Sequence, residues 1–230
     1  MPKVVHHLFQ SDEKHLEQIE ESLLLSASDL AKDNAIENIE IDDLVNKAQV
    51  SHSTFYKVFH SVDGLFKRLG QKLTNELTEY VLSQNPEIQD AATRVAIKTK
   101  RALLTASHMP FLASLLLKAE WPSADPNHAM YKDIEKDFID GLAQGSFSDM
   151  PPSIGANLIL GCLRGAVKDI IETKHPKDYA DKAVCHMLIS LGVDPKIADA
   201  LSKTSTSPLP TPPKGIISNV VSSQDPGRTS

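Results

Sequence analysis

The sequence contains little that catalysis or metal binding would use. Its two cysteines, Cys162 and Cys185, have no metal-like spacing and no histidine in a nucleophile arrangement, which argues against a disulfide framework, a zinc site and a thiol nucleophile. His6, His7 and His15 lie in an acidic start without the fixed helical pairing a metal requires. There is no glycine-rich phosphate loop and no carboxylate pair set apart by burial for acid–base work. The longest apolar run, around Ile154 to Leu163, is about half the ~20 residues a membrane span needs. MPKVVHHLFQ lacks the pattern of a secretory leader. A soluble, cytoplasmic protein that is not an enzyme and carries no cofactor is therefore expected.

What is present is apolar bulk arranged for helices. Hydrophobic residues make up 41% of the 230 positions, enough for a sizeable core. Net charge is −6, which by itself disfavours phosphate binding, but the charge is uneven. Residues 1–40 carry nine acids against three bases. Residues 41–72 reverse the balance, with Lys47, Lys57, Lys67, Arg68 and Lys72 against Asp42, Asp43 and Asp63.

No run alternates with a strand's period, and apolar spacing predicts helices almost throughout. The expected spans are Ser11–Lys32, Ile41–Ala48, Ser51–Phe59, and a helix capped by Ser61 that stops before Asn85-Pro86. Further helices are expected over Ile88–Ser107, Phe111–Trp121, Asn127–Gln144, Ser153–Thr173 and Pro176–Leu191, with a last one after Asp194. From Lys203 the composition turns to Ser, Thr, Pro and Gly, which predicts a disordered tail.

Residues 50–59, VSHSTFYKVF, form a helix too short to stand alone. At 100° per residue, Phe55, Val58 and Phe59 share one side, where they can pack on Leu23, Ala27, Leu30, Leu44 and Val45. The other side carries His52, Ser53, Thr54, Tyr56 and Lys57: hydrogen-bonding groups and a cation, with no acid. Such a surface suits a DNA groove, with the helix N-terminus near phosphates. The tight turn Lys47 to Val50, followed by Ser51 as a cap, joins the two helices as a helix-turn-helix.

IDDLVNKAQVSHSTFYKVFHSVDGLFKRL resembles the DNA-binding segment of the TetR family of transcriptional repressors, over about residues 19–69. The resemblance implies an all-α protein: a flexible arm (1–10), a three-helix DNA-binding head (11–62), a larger helical ligand-binding and dimerisation domain (63–202) and the tail (203–230). It also implies that Thr54 and Tyr56 bond backbone phosphates. His52, Ser53 and Lys57 would face base edges or nearby phosphates, and Ser51 would cap the helix and touch phosphate. Three positions depart from the family pattern: Glu40-Ile41 for a leading Thr or Ser, Gln49 for the turn glycine, and Val62 for a lysine. The start at Ser11-Asp12-Glu13 is acidic where many members are basic.

A regulator of this kind dimerises and senses a small-molecule effector. Gly161 and Gly165, four apart, permit close helix approach, with Ile154, Leu158, Cys162 and Val167 around them. Together with Lys177–Leu191 they predict a four-helix bundle across a two-fold axis. Candidate pocket residues are Leu103, Met109, Phe111, Leu115, Trp121, Tyr131 and Phe138. Arg94, Lys98 and Arg101 share a face opposite Val95 and Leu103 and read as solvated. The alternative function is a helical binding protein of the same fold with a degenerate head that does not bind DNA.

Overall fold

The computed structural model describes residues 3–33 (3–13 as backbone only), 36–84, 87–118, 125–210 and 215–218. These residues form ten α-helices: α1 Lys3–Asp33, α2 Ile41–Ala48, α3 His52–Val58, α4 Val62–Ser83, α5 Ala91–His108, α6 Pro110–Lys118, α7 Ala129–Ala143, α8 Pro152–Glu172, α9 Tyr179–Ser190 and α10 Pro195–Ser202. No strand occurs among the described residues.

The helix boundaries follow local chemistry. Ser51 accepts from the Thr54 N–H and Ser61 from the Gly64 N–H, so α3 and α4 each start on a serine cap. Asp90 and Asp194 do the same for α5 and α10. Pro152 occupies the first position of α8, where its missing N–H costs nothing. α1 starts at Lys3, so its backbone is helical through residues 3–10, ahead of the expected helix start at Ser11.

Helices α1 to α3 pack on one another, and α1 packs on α4, to form the head. Its core holds Leu23, Leu24, Ala27, Leu44, Val45, Phe55, Phe59, Leu65, Phe66 and Leu69. The body packs α5 against α7, α8 and α9 around a second core that includes Val95, Leu103, Phe138, Ile159 and Leu188. Gly155 and Gly141 let the stacked rings of Phe138 and Phe147 lie against helix backbone. α4 and α6 bridge the two halves, and the head core continues through Leu73 to Leu112.

The C-terminal segment differs from the disordered tail that composition predicts. Leu209 and Ile217 are buried against the body. Their backbone N–H groups bond to Thr105 and Glu76, long-range partners that composition does not reveal. Residues 211–214 and 219–230 of that expected tail lie outside the described residues.

Candidate nucleic-acid interface and cavity

In the head, α3 is anchored as its apolar spacing predicts. Phe55 is fully buried and Phe59 nearly so, with Val50 and Val58 half-buried against the same cluster. Phe55→Ala there would cost about 3–5 kcal/mol, the usual penalty for emptying an aromatic site. The opposite side is open: Ser51, His52, Ser53, Tyr56 and Lys57 are exposed and Thr54 is half-exposed. Tyr56 keeps 54% of its surface despite its size, its ring edge-on to Phe55.

The hydroxyls on this face are organised around the cap. Ser51 Oγ lies 2.8 Å from both Ser53 Oγ and Thr54 Oγ1 and accepts the Thr54 N–H at 3.1 Å. His52 Nε2 bonds to Asp42 Oδ1 at 2.8 Å, tying the start of α3 to α2. Gln49 takes the left-handed conformation (φ 56°) that the turn demands, although it is not glycine. Glu40 still serves at the start of α2, where its N–H donates to the Asp43 carboxylate at 3.1 Å, one half of a capping box.

Part of the local basic charge is used internally. Lys47 pairs with Asp29 at 2.6 Å, and Arg68 and Lys72 meet Glu20 at 2.9 and 3.5 Å. Burial alone would raise the Glu20 pKa, but its hydrogen bond and charge interaction with Arg68, aided by Lys72, more than offset this and lower it. Lys47 thus ties α2 to α1, and Glu20 ties α1 to α4.

The body holds a partly open cavity of about 140 Å³. Its walls come from α4 (Thr74, Leu77, Val81), α5 (Val95, Thr99, Ala102, Thr105), α6 (Leu112, Ala113, Leu116), α7 (Met130, Ile134) and α8 (Ile159, Leu163, Val167), with Leu209 from the C-terminal segment. Several wall hydroxyls are already committed: Thr74 donates to the Gly70 carbonyl and Thr105 to that of Arg101. The charged part of the lining is Lys98 with Asp133 and Asp137, to which it donates at 2.8 and 2.6 Å.

Arg94 and Lys98, expected on a solvated face, are instead mostly buried beneath α7. Arg94 bonds to Asp137 and Asp140, both at 2.7 Å. Burial opposes its charge, yet Asp137 and Asp140 together raise its pKa. Arg101 is half-buried and reaches the Gln84 carbonyl at 3.3 Å. The acids at 133, 137 and 140 recur at helical spacing, a stripe in the sequence that could have revealed this pairing.

Of the candidate pocket residues, Met109 lines the cavity. Leu103 and Phe138 belong to the main core cluster, and Tyr131 packs with Ala156 and Leu160. Large apolar side chains at helical spacing fill core and cavity walls alike, so residue type alone does not distinguish the two. The side chains of Phe111 and Leu115, and Trp121 entirely, lie outside the described residues. So do the side chains of His6, His7 and Ser11-Asp12-Glu13.

On α8, Ile154 and Leu158 are exposed at 49% and 37%, in line with Gly161 and Gly165, which face open space. Cys162 is half-buried and points to the Ala183 carbonyl of α9, its thiol pKa pushed up by burial, opposite to a reactive thiolate. Val167, expected beside the glycines, turns inward to the cavity.

No protein-family model matches the sequence, and no curated protein matches it. Solved structures do match. RolR with its ligand resorcinol superposes with a TM-score of 0.67 at 17% identity, covering 86% of this chain and 98% of RolR. RolR without ligand gives 0.62 at the same identity, covering 82% and 98%. A TetR-family transcriptional regulator from Pectobacterium atrosepticum gives 0.60 at 17% identity, covering 78% and 93%. The fold is that of TetR-family regulators. The resemblance seen over residues 19–69 thus extends, as fold, through the body helices.

Proposed function

We propose that the protein is a cytoplasmic, ligand-responsive transcriptional regulator, most simply a repressor, that binds a pseudo-palindromic DNA operator as a homodimer. One observation carries this reading: α4 contributes Leu65, Phe66 and Leu69 to the head core and Thr74, Leu77 and Val81 to the cavity wall. A molecule filling the cavity therefore bears on the same helix that shares the head core with Phe55 of α3.

In the proposed complex, Thr54 and Tyr56 bond phosphates, while His52, Ser53 and Lys57 meet base edges or adjacent phosphates, with Ser51 at the helix N-terminus. The α8 face of Ile154, Leu158, Gly161 and Gly165 meets its symmetry mate, with Cys162 at its margin. Two heads on a two-fold axis then read half-sites in successive turns of the groove. The effector favours the conformer in which the heads no longer match that spacing, and operator affinity falls through a population shift.

The effector is a small, mainly apolar molecule. A cavity near 150 Å³ accommodates about one benzene ring, and the lining offers polar groups chiefly at Lys98, Asp133 and Asp137. RolR, with the same fold, has resorcinol as a ligand. A neutral monocyclic phenol fits both observations, its hydroxyl directed to the Asp133 and Asp137 carboxylates.

A second reading, a helical binding protein with a degenerate head, is favoured by the pairing of Lys47, Arg68 and Lys72 with acids. Selection of DNA fragments by the purified protein separates the two. Enrichment of an inverted repeat, released by millimolar resorcinol, supports the regulator. Recovery of unenriched DNA supports the second reading.

A further inference from the structure

One wall of the cavity comes from outside the helical body. Leu209 closes it from the C-terminal segment at 6% exposure. Its N–H donates to the Thr105 hydroxyl at 2.9 Å, and that hydroxyl donates onward to the Arg101 carbonyl at 2.7 Å. Upstream, Lys100 Nζ donates to the carbonyls of Ser202 and Thr204 at 2.9 and 3.1 Å while pairing with Asp181 at 2.7 Å. Downstream, the two oxygens of Glu76 on α4 accept the N–H groups of Ile216 and Ile217 at 2.8 and 3.1 Å.

These contacts are too specific for a strand of chain lying loosely on a surface. A backbone amide removed from water needs a partner, and here buried or half-buried side chains supply three of them. Gly215 has φ +111°, and a Cβ there would run into the Glu76 carboxylate, so the fit requires glycine. Ile217 is fully buried in the apolar cluster that includes Leu112, Met109, Leu116 and Leu77, which also line the cavity.

We infer that residues 203–210 and 215–218 form a clasp over the cavity. Leu209 is a specificity-determining wall residue of the effector site, and Glu76 is a positioning residue that fastens the clasp to the helix leading to the DNA head. The inference rests on reading the cavity as an effector site. A ligand that reaches Leu209 presses on a segment anchored to α4, so the clasp makes α4 sense ligand length as well as occupancy.

The test uses full-length protein and two readouts: amide hydrogen exchange of the segment, and phenol titration followed by chemical shift. Glu76→Gln removes one strong acceptor, and Gly215→Ala attacks the same junction from the segment's side, its added Cβ displacing the Glu76 carboxylate. Either variant is expected to speed exchange at Ile216 and Ile217 by at least about tenfold. Unchanged exchange in both variants overturns the clasp. Leu209→Ala is expected to weaken phenol binding by about fivefold through lost apolar contact. Glu76→Gln should shift it in the same direction, although Glu76 does not line the cavity. An unaltered phenol Kd in Leu209→Ala overturns its role as a wall, and one in Glu76→Gln overturns positioning. If phenol binds no form of the protein, the effector reading fails, and the exchange data alone decide whether the clasp exists.

Discussion

The carboxylate of Asp137 links Arg94 to Lys98, accepting from the guanidinium on one oxygen at 2.7 Å and from the ammonium on the other at 2.6 Å. Asp137 is 4% exposed and neither cation can reach bulk water freely. Removing it takes one of two carboxylate partners from each cation, leaving Arg94 with Asp140 and Lys98 with Asp133. Asp137→Ala should therefore cost about 3 kcal/mol in urea unfolding, the low end for breaking a buried pair from one side. Asp137→Asn, which keeps the shape and one acceptor, should cost less.

Gln49 is the reverse case, a residue held where its side chain gains nothing. Its φ of 56° is the left-handed region that L-residues adopt only at a cost. Gln49→Gly is expected to raise stability by about 0.5–1 kcal/mol, the strain relief less the greater freedom glycine has when unfolded. The urea midpoint should rise with the slope unchanged.

The proposed dimer face is testable without disturbing the monomer. A Cβ added at Gly161 or Gly165 meets nothing within 4 Å beyond its own helix backbone. Gly161→Arg should therefore leave helicity intact while abolishing dimerisation. Light scattering at micromolar concentration should show a dimeric mass for the native chain and half that mass for the variant. A native monomer would remove the two-fold operator from the account.

Acid should loosen the joint between α1 and α4. The folded-state pKa of Glu20 is lowered by Arg68 and Lys72, so its contribution is present above the ordinary glutamate pKa and is lost as pH falls through the folded value. The pair is partly exposed, so Glu20→Gln should cost only about 0.5–1 kcal/mol at neutral pH. The difference from native protein should vanish once pH drops below the carboxylate range. A constant difference down to pH 3 (roughly one unit under the free glutamate value) would assign the effect to packing instead.

Local chemistry made much of the fold legible. Ile41–Ala48 has its expected bounds because the left-handed turn at Gln49 ends it, and Ser61 and Asp194 cap as their positions suggest. The packing and exposed sides of α3 follow from the spacing of Phe55, Val58 and Phe59 alone. What escaped depended on a second element. Arg94 and Lys98 look solvated on a lone helix and become buried only because α7 lays its acids over them. Leu209 and Ile217 are isolated apolar residues in a Ser/Pro-rich stretch, and their partners Thr105 and Glu76 are more than a hundred positions away. Leu103, Tyr131 and Phe138 have the size of pocket residues, but only the three-dimensional packing separates core from cavity wall.

DNA reading by α3, the core of the proposed function, is decided by salt-titrated binding to a selected operator. A steep negative slope of log affinity against log salt is expected for the native chain. Lys57→Ala should make the slope shallower by about 0.9 for one lost phosphate contact, and Tyr56→Phe should weaken binding with the slope nearly intact. Binding with no salt dependence, unchanged when both substitutions are combined, would contradict it.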